Sequence, residues 1–132
     1  GIEENEPLII ENIPSCIYSQ PQIASIGLTE ETAKSIGKKI RVGKFPFQGN
    51  GKAIALGETE GFVKTIFDSE SGELIGAHLI GSDVTELIHG YSIAKTLEST
   101  EEELMRAVFP HPTLSEMMQE SVMDAYDRAI HI

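Results

Sequence analysis

The sequence predicts an α+β domain: an antiparallel β-sheet flanked by helices. Three observations carry this. Two runs rich in β-branched and aliphatic residues, the first also holding Phe62 and Phe67, stand on either side of a short turn in the middle of the chain. The apolar residues that recur at helical spacing are concentrated in the last third. Strands come first and helices last, without the strand–helix–strand alternation of a parallel sheet. At 132 residues, 40% hydrophobic and 23% charged, the chain has the composition of one globular domain.

Residues 1–12 read as a polar lead-in and residues 13–132 as the domain. Pro14 and Pro21 punctuate the entry, and Ile17–Tyr18 and Ile23–Ile26 read as strand starts. Thr29 followed by Glu30 and Glu31 predicts a helix N-terminus with Gly37 as its stop. The stretch from Lys39 to Phe47 alternates in part, and Pro46 assigns its end to an edge or a bulge. The polar run QGNGKA reads as a loop leading into a short helix that ends at Leu56. Phe62–Phe67 and Leu74–Ile80 form a hairpin around Ser69-Glu70-Ser71-Gly72. Val84, Leu87, Ile88, Tyr91 and Ala94 predict a helix from Asp83 to Leu97. Thr100 and Glu103 form a capping box opening a helix to about Val108. Phe109-Pro110-His111-Pro112 ends it, because proline has no N–H to give a helix and restrains the residue before it. A last helix is expected from Leu114 to about Ile130, with Leu114, Met117, Met118, Ser121, Ala125 and Ala129 on one face.

Charge narrows the partners. The ten basic and 21 acidic residues give a net charge of −11, all of it in residues 53–132. Such a domain repels phosphate backbones, so no nucleic acid is expected and a basic protein partner is preferred. No apolar run reaches a membrane span, and the acidic opening GIEENEPLII is unlike a signal or transit peptide. A first residue of Gly suggests a mature product or a piece of something longer. The single cysteine, Cys16, excludes an internal disulfide or a CxxC pair and reads as a small buried hydrophobe. No metal site is expected from His78, His89, His111 and His131, which show no ligand spacing. The Gly49-x-Gly51-x-x-Ile54 stretch lacks the third glycine of a dinucleotide fingerprint, and Gly51-Lys52-Ala53 lacks the hydroxyl of a P-loop.

The segment Pro110-His111-Pro112-Thr113-Leu114-Ser115-Glu116 stands apart. A histidine between two prolines is presented from a stiff corner, as a positioned acid/base would be. Glu116, five residues on, enters the first turn of the next helix, where a carboxylate could fix the imidazole tautomer. Thr113 and Glu116 also spell a capping box, in which Glu116 reaches back to the Thr113 backbone. A carboxylate has two oxygens, so both roles can hold together.

At this heptapeptide the chain resembles the C-terminal dimerisation domain of dihydrolipoyl dehydrogenase, a flavoprotein disulfide reductase. The resemblance extends over IPSCIYSQPQIASIGLTEE from Ile13, VGKFPFQGNGKAIALGETEGFVK from Val42, LIGAHLIGSDVTELIHGYSIAKTLESTEEEL from Leu74 and FPHPTLSEMMQESVMDA from Phe109. Glutathione reductase shares the His-Pro-Thr and the glutamate offset, but the Leu-Ser pair favours the lipoyl enzyme. The resemblance implies an alpha–beta sandwich of the FAD/NAD-linked reductase dimerisation type. It implies that His111 is an acid/base residue serving the partner subunit's active site, that Glu116 orients it, and that Pro112, after a typically cis bond, lies with His111 near the partner's FAD. It further implies a homodimer acting on dihydrolipoamide carried by a lipoyl domain, with FAD and NAD bound by regions outside this chain. A basic subunit-binding domain of an acyltransferase is the implied docking partner, and the cytoplasm, or the mitochondrial matrix in a eukaryote, the implied location. The isolated chain is expected to bind no cofactor of its own and to have no dehydrogenase activity. The alternatives are a non-catalytic module that docks the basic partner, and the equivalent domain of a glutathione reductase-like enzyme.

Overall fold

A computed structural model describes residues 7–131, so residues 1–6 of the expected lead-in lie outside the described region. Five strands, β1 (Ser15–Ile17), β2 (Gln22–Gly27), β3 (Ile40–Pro46), β4 (Phe62–Asp68) and β5 (Leu74–Gly81), form one sheet in the order β1-β2-β5-β4-β3. Every neighbouring pair is antiparallel. Among the described residues five α-helices accompany it: α1 (Glu30–Ser35), α2 (Gly51–Leu56), α3 (Val84–Thr96), α4 (Glu101–Arg106) and α5 (Glu116–Asp124). The α+β expectation holds.

The β4–β5 hairpin closes as its sequence requires. Asp68 Oδ1 accepts from the N–H groups of Glu70 and Ser71 at 2.9 and 3.4 Å, and Gly72 takes the left-handed φ of 76° that ends the turn. β3 is an edge strand with Pro46 as its last residue, where a missing N–H costs no ladder bond. The α4 capping box is complete, with Glu103 Oε2 accepting from Thr100 N–H at 2.8 Å.

The main core lies between the sheet and α3 and α5. It holds Phe45, Val63, Phe67 and Leu79 from the strands, Tyr91 from α3, and Met117 and Val122 from α5. A smaller cluster of Ala33, Ile66 and Ile75 fills the other face under α1. α5 crosses β3 and β4 at close range: a Cβ on Gly43 would stand 1.8 Å from the Ser121 carbonyl oxygen and 2.6 Å from the Ala125 nitrogen. Only glycine fits there. The Thr65 hydroxyl donates to the same Ser121 carbonyl at 3.0 Å, and the buried Tyr91 hydroxyl meets Ser121 Oγ at 3.0 Å and Met118 O at 3.2 Å. Burial pushes the Tyr91 phenol above its ordinary range, so it stays neutral.

Two helices are corrected. α4 stops at Arg106, short of Val108. The last helix runs from Glu116 to Asp124 instead of from Leu114 to Ile130. It unwinds because Asp127 adopts a left-handed φ of 57° and Arg128 N–H turns back to Met123 O at 2.9 Å. Leu114, Met117, Met118, Ser121 and Ala125 are buried as expected, whereas Ala129 lies beyond the helix and is half-buried.

Candidate active site

Residues 107–115 connect α4 to α5 and carry His111. Proline at 110 and 112 denies this stretch a helix, so its backbone groups must find other partners. Gln119 Nε2, on α5, donates to Met105 O at 2.7 Å and Ala107 O at 2.9 Å. The Thr113 hydroxyl donates to Pro110 O at 2.7 Å. From the other side, Asn50 Nδ2 donates to Thr113 O at 3.0 Å, while its Oδ1 caps α2 by accepting from Ala53 N–H at 2.9 Å. The corner is thus tied to α5 and to the N-terminus of α2. The His111–Pro112 bond is cis, as is Gln20–Pro21.

Glu116 joins the two readings that its sequence left open. Oε1 lies 3.0 Å from His111 Nδ1, and Oε2 accepts from Thr113 N–H at 2.9 Å. The capping box is half made, because the Thr113 hydroxyl is turned to Pro110 O instead. The Thr113 N–H, followed by the His111 contact, holds the Glu116 carboxyl below its ordinary 4.5, against the opposing effect of burial. An ionised carboxylate only accepts hydrogen bonds, so the proton of this pair sits on His111 Nδ1. In the neutral ring Nε2 then carries the free lone pair. The His111 side chain is 80% exposed, so that nitrogen is open to a proton donor from outside the domain.

His111 and Glu116 line a cleft of about 450 Å³ with Asn50, Gln119, Glu120 and His131. Sequence reasoning missed these last four. Asn50 could have been found as an N-cap before Gly51-Lys52-Ala53. Glu120 could have been found by its spacing from Glu116, since residues four apart share a helix face. Gln119 and His131 leave no comparable local signal. The other histidines lie apart. His78 Nε2 donates to Leu28 O at 2.9 Å, and His89 sits on the exposed side of α3. Cys16 is half-buried and packs against the core. Among the described residues, no group of three or more His, Cys, Asp or Glu side chains could hold a metal ion, and no helix is long and apolar enough to cross a membrane.

The chain is 58% identical over 131 residues to a dihydrolipoyl dehydrogenase of Zymomonas mobilis, covering 99% of this chain and 28% of that protein. It is 40% identical to a mitochondrial dihydrolipoyl dehydrogenase of Pisum sativum, covering 92% of this chain and 24% of that one. It therefore spans about a quarter of the length of these relatives. Among solved structures, LpdA from Mycobacterium tuberculosis shares the fold with a TM-score of 0.83 at 23% identity, over 89% of this chain and 26% of that one. The HOCl-induced flavoprotein disulfide reductase RclA from Escherichia coli gives 0.81 at 27% identity, over 85% and 26%. The family model described as the pyridine nucleotide-disulphide oxidoreductase dimerisation domain matches residues 13–122, and the chain belongs to that family.

Proposed function

We propose that this domain, as the dimerisation domain of a dihydrolipoyl dehydrogenase, forms a homodimer and supplies His111 as the acid/base residue to the partner subunit's active site. The observation that carries the reading is the His111–Glu116 pair at 3.0 Å, with the far edge of the imidazole exposed. His111 Nε2 takes the proton from one thiol of dihydrolipoamide. The thiolate left behind forms a bond to one sulfur of a redox disulfide in the partner subunit, whose other sulfur departs as a thiolate. Thiolate is the reactive species, and a neutral imidazole with a free Nε2 lone pair is a base that can generate it. Glu116 keeps the proton on Nδ1 and stabilises the imidazolium that forms.

FAD and NAD would be held by regions outside this chain, and the chemistry they supply when bound is acceptance of the electron pair from the reduced cysteines. The residues here fit the margin of a flavin site only. Pro112 and the exposed His111 ring offer a surface against the partner's flavin, while the Gly49–Ile54 stretch is closed by Asn50 capping α2. Residues 13–132 form the domain on this reading. Exposed Ile93 on α3 and Leu97 at its C-cap are apolar surface for the homodimer contact. Dihydrolipoamide would arrive on a lipoyl domain, and the acidic second half would suit a basic subunit-binding domain. A cytoplasmic or matrix location goes with that chemistry.

The test is His111→Gln in the full-length enzyme. Dihydrolipoamide turnover falls by about 10²–10⁴ while flavin absorbance and dimer mass stay unchanged. Turnover near the wild-type rate would sink the assignment. Comparing dihydrolipoamide with glutathione on the wild-type enzyme separates the lipoyl reading from a glutathione reductase-like one.

A further inference from the structure

The cleft holds a second histidine–glutamate pair. Glu120, one turn beyond Glu116 on α5, places Oε1 2.6 Å from His131 Nδ1 and accepts from Ile130 N–H through Oε2 at 3.0 Å. This repeats the arrangement one turn earlier, where one carboxylate oxygen meets an imidazole Nδ1 and the other a backbone N–H. Glu120 is the more deeply set of the two carboxylates, with 9% of its side chain exposed against 30% for Glu116. Burying a carboxylate is costly unless its oxygens are filled, and here His131 and Ile130 fill them. The segment after α5 is thereby folded back onto the helix, and His131, 64% exposed, stands on the wall of the cleft that His111 lines.

We propose that His131 is a second substrate-handling imidazole of this cleft, oriented by Glu120 as His111 is by Glu116. The inference rests on the proposed function for its substrate class, a dithiol. With Nδ1–H committed to Glu120, the neutral ring presents Nε2 as an acceptor, and it receives a polar hydrogen of the bound dithiol. His111 removes a proton, whereas His131 holds the substrate. Glu120 is a positioning residue that acts through His131.

Two substitutions in the full-length enzyme separate this role from a purely structural clip. In His131→Asn the side-chain amide can still donate to Glu120 but has no atom in place of Nε2. In Glu120→Gln the amide can accept from Ile130 N–H and donate to Nδ1, which forces the ring into the tautomer with its proton on Nε2. Both variants raise KM for dihydrolipoamide about three- to tenfold with kcat within about twofold. Both keep the flavin content and a melting temperature within about 2 °C of wild type. If KM stays within about twofold in both, His131 is a clip and the inference is overturned. His111→Gln, assayed alongside, keeps the two claims apart. Retained turnover there would remove the proposed function, while a collapse there with unchanged KM in the other two would remove only the role of His131.

Discussion

On one face of the sheet, α1 covers the small cluster of Ala33, Ile66 and Ile75 and is held at its N-terminus by Glu30, which Lys64 reaches at 3.0 Å and Lys34 at 3.5 Å. The Lys64 contact holds the Glu30 carboxyl below its ordinary value despite partial burial. On the other face, α5 is held by the missing side chain of Gly43, the Thr65 and Tyr91 hydroxyls and a buried apolar core. Ion pairs at a surface tolerate sliding and are screened by salt. Close backbone approach and buried hydrogen bonds do not. The histidine corner stands on the second face, so the accuracy of the site is inherited from contacts that fix position as well as stabilise.

The comparison is broken most severely by Gly43→Val. The new side chain must displace backbone atoms of α5, and a destabilisation of about 3 kcal/mol is expected in denaturant unfolding, with turnover in the full-length enzyme expected to fall too. A loss below about 1 kcal/mol would mean that α5 shifts freely. Asn50→Ala removes both the α2 cap and the Thr113 tether, at about 2 kcal/mol. Turnover falls further than stability alone requires, because the His111 corner loses its anchor on the α2 side. Ile66→Val, on the α1 face, costs about 1 kcal/mol and leaves kcat unchanged. A matching drop in kcat would show that the two faces are coupled.

The smallest effect sharpens the electrostatics. Glu116 is depressed below 4.5 in the folded protein, so its contribution is fully present above that value. It is lost as pH falls through the lower, folded value. Thermal melting of wild type and Glu116→Gln should therefore differ at neutral pH and converge in acid. A gap that persists in acid would mean that the contact does not depend on the carboxylate charge.

The hairpin, the capped helices and the His111–Glu116 pair were legible because each is local. Asp68 to Gly72 closes its own turn, and Glu116 reaches only five residues back. The strand order was not, since β2 pairs with β5 across 49 residues (Gly27 with Gly76) or more and no pattern in either strand names its partner. The true end of α5 was hidden because Ala125, Ala129 and Ile130 continue the apolar spacing, while Asp127 leaves the helical conformation. For the same reason the Glu120–His131 pair was invisible: its eleven-residue separation crosses a chain reversal that periodicity does not encode.

Two imidazoles borrowing their orientation from one short helix also set a rule for chain length. An α-helix advances about 1.5 Å and turns by about 100° with each residue. One residue inserted between Glu116 and Glu120 would therefore rotate one carboxylate away from its histidine while leaving the other in place. Natural variation in length should avoid the whole stretch from His111 to His131, and the four-residue interval between the two glutamates should admit none. A family tree of such domains would then record insertions inside α5 as extinction.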